Sequence, residues 1–502
     1  MVTRRTLLKQ GAYTTLSAAV VSILGGTARS QNASSVGFDY YISPTGSDSN
    51  PGTLDKPWAI TAINSHGREY AGKRVGLLDG TYNVYALCQA DPKGQIALSI
   101  NGGTSASAPT VIAAVNARKA VLTAADSASG ALPSKPVAII GQAAVVANKG
   151  NVILDGLSVT RAFGGGIWIA PLGWSGSDRA SGVVVRNCDV YDIDGIVNYN
   201  LGGVKLHKCV GAVISNNRIY GVQPNPGTAH PSNAAGIFSF NSHSNVYEYN
   251  TIYDCNTGIH DKNPDNGNHT YRYNYIESAG LHPYTALQDC SGGGAGDVVT
   301  AHNNILVGPG IWDSSDMVMP SRQSLVFYNN TCYCHGGSAV MYLAAGSQVS
   351  PAAMVTFYNN MVYCTEVAGW AGAMKFCSGT MALFNYNVYR VDPGPRGIFA
   401  LRPPTNLRPP GAFYTMSAWQ KETGQDSNSI ATVAGSSSLF RAAARLDAGS
   451  YQLQPSAAGR ALGRIGGIAS GAPTDVGAWG GGAKQIGCDF GPVPRSPVLT
   501  VE

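Results

Sequence analysis

Between Asn151 and Tyr389 the apolar and polar positions alternate in short runs, and almost every run ends on an Asn followed by a second apolar run. Val213–Tyr220 reads apolar, apolar, Ser, Asn, Asn, Arg, Ile, Tyr. The same pattern returns in Val246–Tyr253, Thr270–Ile276, Val298–Leu306, Leu325–Tyr333 and Met354–Tyr363, with an earlier copy in Val183–Tyr191 and a later one in Leu383–Tyr389. Alternation with a period of two predicts strands, and the β-branched and aromatic residues in the runs agree with it. Aligning Asn217, Asn250, Asn274, Asn303, Asn330 and Asn360 gives steps of 33, 24, 29, 27 and 30 residues. A step of that size with about three short strands per repeat means coils stacked along one axis. A propeller blade would need four strands, and no helical period interrupts the runs to suggest a βαβ sheet or a leucine-rich horseshoe. The expected fold is therefore all-β, a right-handed parallel β-helix of about eight or nine coils in this region.

Stacked coils would set equivalent residues about 4.8 Å apart. The recurring Asn is then expected to form one turn row, bonding its amide to the next coil. Tyr220, Tyr253, Tyr333 and Tyr363, each three residues after its Asn, are expected to stack, and Cys334 and Cys364 share a register in which they can pair. Outside the repeats the character changes. The division expected is 1–30 as a targeting segment, 31–150 as an N-terminal cap with the first coils, 151–390 as the solenoid core, and 391–502 as a C-terminal cap and tail that packs back on the coils.

Composition alters this picture in two places. The formal charge of +5 is misleading, because Arg4, Arg5, Lys9 and Arg29 stand in a first segment without acids. Removing those four of the 34 basic residues leaves 30 against 29 acidic ones, so charge does not point to a nucleic-acid partner. The segment itself reads as a twin-arginine export signal: Thr3–Lys9 carries the arginine pair, Ala12–Gly26 is small and apolar, and Ala28-Arg29-Ser30 suits cleavage. Its apolar run is too short to span a bilayer comfortably. The expectation is an exported, periplasmic or extracellular monomer without a membrane anchor. An oxidising compartment permits disulfides among the 10 cysteines, whose spacings do not suit zinc.

The opening Tyr41–Thr53, the coils, Trp419–Asp426 and the closing Asp475–Ala478 together resemble the β-helical polysaccharide lyase group. That group includes alginate lyases, chondroitinase B and calcium-dependent pectate lyases with a lysine base. The resemblance covers most of residues 38–480 and implies an exported enzyme acting on an acidic polysaccharide.

Aligning the strand before each Asn motif by its Gly-apolar start brings together Gly166–Ala170, Gly203–His207, Gly236–Phe240, Gly258–Lys262, Ala286–Cys290 and Gly310–Ser314. With the second residue facing in, the third and fifth face out. That outward set is Trp168, Lys205, His207, Phe238, Phe240, His260, Lys262, Gln288 and Trp312. Cations between aromatic walls suit a groove for a sugar chain carrying carboxylates. Lys262 resembles the lysine base of the group, with Asn268–Asn274 as the strand that follows it. His260 is the expected acid or carboxylate neutraliser, and Lys205, His207, Trp168, Phe238, Gln288 and Trp312 are the expected substrate contacts. The group's arginine on the next coil is replaced by Gln288, and Thr257 and Cys255 stand where its acidic calcium ligands would be. Arg272 is a further substrate candidate, although its register opposite Glu248 also suits a salt bridge. Calcium is a candidate cofactor on Asp261, Asp289 and Asp313, unless alternation turns these acids inward. A glycoside hydrolase, which would need two carboxylic acids across the groove, and a non-catalytic binder or adhesin are the competing readings.

Overall fold

The computed structural model describes residues 37–90, 96–142 and 150–170, most of 178–432 with breaks at loops, and short pieces between 447 and 478. The expected export segment lies outside the described residues. The strands stack into three parallel sheets running the length of the molecule. The first sheet has 12 strands, from Tyr40–Ile42 to Met381–Asn385, ordered as they occur in the chain. Nine of them fall between 151 and 390, in keeping with the repeats read from the sequence. The second sheet includes Asp189–Gly195, Arg218–Pro224, Thr251–Cys255, Tyr275–Ser278, Ile305–Gly308, Thr331–His335, Met361–Thr365 and Val388–Asp392. The third includes Leu201–His207, Ala234–Phe240, Thr257–Asn263, Leu287–Ser291 and Trp312–Asp313. Ser158–Ile169 runs through both, pairing with Asp189–Gly195 by its first half and with Leu201–His207 by its second. The chain is a parallel β-helix.

Each sheet contributes one interior row. The first supplies Ile214, Tyr247, Tyr271, Ala301, Phe327, Phe357 and Phe384 in register. The second supplies Val190, Ile219, Ile252, Ile276, Leu306, Cys332, Val362 and Tyr389. The third supplies Ile167, Val204, Ile237, Ile259 and Leu287. All are buried in one continuous core. A fully buried side chain of this size contributes about 1.5–3 kcal/mol, so the rows supply the main drive to fold. The glycines that open the third-sheet strands are set by close approach. A Cβ on Gly258 would lie 2.4 Å from the Ala286 carbonyl oxygen, and one on Gly203 2.8 Å from that of Gly236.

The turn between the first and second sheets holds an asparagine ladder. Its members are Asn217, Asn250, Asn274, Asn304, Asn330, Asn360 and Asn387, all fully buried. Each Nδ2 donates to the Oδ1 of the next member, at 3.0, 3.0, 3.0, 2.9, 3.1 and 3.3 Å in order. The same Oδ1 accepts the backbone N–H of the member before it, and each Nδ2 also donates to a strand carbonyl such as Val185 O or Ile214 O. Every amide valence is thus used, as burial requires. The residue before each rung takes a left-handed backbone, from Asn216 (φ 53) to Tyr386 (φ 56). Asp426 ends the row, accepting from Asn387 Nδ2 at 3.0 Å, Trp419 Nε1 at 3.1 Å and Ser429 Oγ at 2.5 Å. Trp419 lies on the helix Met416–Thr423 and stacks on Phe399 at 4.5 Å. This accounts for the Trp419–Asp426 motif.

Two details of the repeat differ from expectation. Asn304, not Asn303, is the rung; Asn303 is the left-handed residue before it, and its Nδ2 donates to Ala478 O instead. The tyrosine row is also broken. Tyr191, Tyr220 and Tyr253 stack at 5.0 and 4.8 Å, and Tyr333 meets Tyr363 at 5.1 Å, but Glu277 and Val307 hold the registers between. Cys334 and Cys364 do share a register, in the core and as thiols. The tail reaches the outside of the second sheet, where Tyr451, Leu453 and Ala478 pack on Tyr275, Ile305, Val307 and Met361.

Asn304→Ala should lower stability by about 2–3 kcal/mol, since buried donors and acceptors on both neighbouring coils lose their partner. Asn303→Gly, which keeps the left-handed backbone, should cost under about 1 kcal/mol. Urea unfolding of both variants checks the register; equal losses would contradict it.

Candidate functional site

The third sheet carries chemistry on the face turned away from the core. Two adjacent outward rows are present. Trp168, Lys205, Phe238, His260 and Gln288 form one in continuous register, and His207, Phe240 and Lys262 form the other. Their orientation is confirmed by packing: Ala235, Phe238 and Phe240 make a small apolar cluster separate from the core that holds Val204, Leu206, Ile237 and Ile259. The register therefore brings together Trp168, Lys205, His207, Phe238, Phe240, His260 and Lys262, as alternation predicts. The side chain of Gln288 lies outside the described residues.

The surroundings of these groups are drier than an open groove. Lys205 is only 6% exposed and Phe238 fully buried, whereas Trp168 and Lys262 are half-buried. Lys205 Nζ sits 4.1 Å from the centre of the Trp168 ring, a cation–π contact. Phe238 lies 4.8 Å from the His260 ring and His207 5.7 Å from Phe240. Burial lowers Lys205 to a pKa of about 8. Burial, and then Lys262 nearby, push His260 down to about 3; burial, with Lys208 and Lys205, pushes His207 to about 4. Both histidines are therefore neutral at neutral pH. Uncharged, His260 offers a uronate carboxylate no positive charge, and its remaining ring N–H can serve as a hydrogen-bond donor. Both ring nitrogens of His260 and the Trp168 Nε1 are buried without a hydrogen-bond partner among the described residues. Each such atom costs about 1–3 kcal/mol until something bonds it.

Other expected members are elsewhere. Trp312 pairs with Leu287 and Asp313 with Gln288, one position off the alignment expected for them, and the side chains of Trp312 and Asp313 lie outside the described residues. Arg272 lies on the first sheet, away from this face, with its Nη2 2.6 Å and Nε 2.7 Å from Glu248 Oε2. It is the salt bridge that its register suggested.

Of the three acids expected to hold calcium, Asp261 is drawn into the core. Asp261 and Asp289 share a register, but Asp313 does not. Asp261 is fully buried and faces inward, where Tyr247 Oη donates to it at 2.9 Å and Tyr271 Oη also donates. His269 accepts the Asn245 N–H on Nδ1 at 3.1 Å, which leaves Nε2–H facing Asp261 at 3.5 Å. A carboxylate bonded this way inside the solenoid is not available to a cation. No cluster of three potential metal-ligating side chains occurs among the described residues. The Asp289 side chain lies outside the described residues.

No protein-family model matches the chain. No curated protein matches it either. Among solved structures, it is similar to pectate lyase Pel9A with a TM-score of 0.53 and 15% identity, over 88% of this chain and 95% of that one. It is also similar to XylC in complex with xylose (TM-score 0.42, 12% identity, 72% of this chain and 84% of that one). A PL6 alginate lyase in complex with a trisaccharide gives a TM-score of 0.35 and 13% identity, over 90% of this chain and 95% of that one. At such identities the likeness to Pel9A is one of fold.

A histidine whose folded pKa lies below its unfolded value of about 6.5 costs stability as it charges, and the loss sets in as pH falls through that unfolded value. Stability should decline between about pH 6 and 4 by up to about 1.4 kcal/mol per pH unit for each buried histidine. Replacing His260 by Phe should flatten that slope by one proton's worth, as urea midpoints across this range would reveal. An unchanged slope would place His260 in water.

Proposed function

We propose that this protein is a polysaccharide lyase that cleaves a uronate-containing polymer by β-elimination along the outward face of the third sheet. The observation that carries this reading is the pairing of Lys205 and Lys262 with Trp168, Phe238 and Phe240 on successive rungs, around polar atoms that have no partner among the described residues. The two lysines stand two rungs apart, about 10 Å along the axis. A polymer lying along the face would meet aromatic surface for its rings, positive charge for its carboxylates, and Trp168 Nε1 and the His260 nitrogens for its hydroxyls. The fold shared with pectate lyase Pel9A agrees with this use of a β-helix.

Elimination requires three things: a cation against the uronate carboxylate, a base for the adjacent C–H, and a proton for the leaving oxygen. Lys262 is the half-buried lysine that a polymer can touch, and it is assigned as the base. Having taken the proton, the same ammonium can return it to the departing oxygen, so His260 is not needed as acid. Lys205, protonated below about pH 8, holds the carboxylate. The hydrolase reading is weaker. It would pair Asp261 with Asp289 as its two carboxylates, and Asp261 is turned into the core and bonded there.

Digestion of a panel of uronate polymers should give the ultraviolet absorbance of an unsaturated product; reducing ends without that absorbance would indicate hydrolysis, and neither would indicate a binder. Lys262→Arg should bind polymer yet lose on the order of a hundredfold or more in kcat, since arginine keeps charge but cannot serve as a base. Retention of most activity would reduce Lys262 to a binding cation. KM should rise above about pH 8 as Lys205 gives up its proton, and Lys205→Arg should abolish that rise because its charge persists.

A further inference from the structure

The turn that leads from the third sheet back to the first carries a second constellation. Ser244 Oγ lies 2.8 Å from His243 Nδ1, and His243 Nε2 lies 3.2 Å from both carboxylate oxygens of Asp297. With Nδ1 accepting the serine proton, Nε2–H donates to Asp297, so the tautomer follows from the carboxylate. Asn268 Nδ2 donates to Ser244 Oγ at 3.1 Å, and its own Oδ1 accepts the Val298 N–H at 3.4 Å, which fixes the orientation of the amide. Ser244 (φ 56) and Asn268 (φ 58) both hold left-handed backbone, a conformation that non-glycine residues adopt at some cost. The group is reachable: His243 is 33% and Asp297 20% exposed at the side chain, and Asn268 is exposed. Four residues drawn from three coils, spanning 54 positions, meet here.

We propose that Ser244, His243 and Asp297 form a nucleophilic site that hydrolyses carboxylic esters borne on a polysaccharide. A serine bonded to an imidazole that is oriented by a carboxylate is the arrangement that activates a hydroxyl, and it is defined by geometry, not chain order. Ser244 Oγ bonds to the acyl carbon while its proton passes to His243 Nδ1, and Asp297 stabilises the imidazolium. The carbon–oxygen bond to the alcohol then breaks, and the alcohol leaves with the proton from Nδ1. Water adds to the acyl-serine, again giving its proton to Nδ1, and Ser244 departs with it, releasing the acid. Ester and water become acid and alcohol. The Asn268 amide, beside the attacking oxygen, is the donor placed for the oxyanion.

The choice of polymer rests on the proposed lyase reading; the ester chemistry does not. Ser244 N–H bonds to Gly267 O and Asn241 N–H to Lys262 O, so the site shares a coil edge with Lys262. An esterified uronate has no charge for the lysines to hold, and removing the ester creates it. The ester is either an alkyl ester on that carboxyl or an acyl group on a sugar hydroxyl.

The test uses the full chain treated with a fluorophosphonate probe and assayed on 4-nitrophenyl acetate, then on methyl-esterified and on acetylated uronate polymers. Labelling of the Ser244 peptide, with ester turnover that Ser244→Gly eliminates, is expected; glycine keeps the left-handed backbone, so the turn survives. Asp297→Asn should lower turnover on the order of a hundredfold or more with an unchanged melting temperature. Methanol release would identify the uronate ester, and acetate release the acylated hydroxyl. An unlabelled Ser244, or turnover undiminished in Ser244→Gly, would overturn the proposal, as would activity lost only in step with unfolding. Elimination should persist in Ser244→Gly, so failure here is distinguishable from failure of the lyase reading.

Discussion

The structure depends on one requirement, that a buried amide must have partners for both its hydrogens and both its lone pairs. A chain that turns every 24 to 33 residues inside its own core would otherwise leave polar groups stranded at each corner. Asparagine solves this because its side chain is itself a peptide-like unit, able to pair along the axis as the strands do. Once the corner is fixed, the spacing of coils is fixed, and with it the contact of every interior row. The site inherits its precision from this. Lys205, Phe238 and His260 stand beside one another because their coils are clamped at a corner on another side of the solenoid.

Function is confined by what is already covered. The first and second sheets meet at the ladder, and Tyr451, Leu453 and Ala478 occupy part of the outside of the second. The third sheet keeps two lysines on its outer face near neutral histidines. Burial has two effects there: it disfavours charge on His207, His260 and Lys205, and it strengthens any hydrogen bond a ligand makes with them.

Much of this was legible in the sequence, for reasons that also mark the limit. The repeating Asn and the alternation of apolar residues reveal coils and faces, since both are local and periodic. The errors arise where period alone is insufficient. Asn303 and Asn304 are adjacent identical residues, and only the left-handed turn decides which one enters the core. Trp312 stands opposite Leu287, one position off the register that the glycine alignment gives it. The charge state of His260 depends on how deeply its rung is enclosed, which no spacing expresses. Asp297 and His243 are brought together by stacking from positions 54 residues apart, so no motif joins them.

The end of the ladder has a consequence for how the molecule behaves towards copies of itself. A parallel solenoid finishes on open strand edges, and such edges invite another chain to add a rung, the route by which β-structures grow into fibres. Seven asparagines each hand a hydrogen forward, and the eighth position is Asp426, whose carboxyl oxygens receive from Asn387, Tyr389, Trp419 and Ser429. Unlike an asparagine, Asp426 has no amide N–H to hand on to an incoming chain. The row is thus terminated chemically as well as sterically, so that a periodic structure with no intrinsic length acquires a last member.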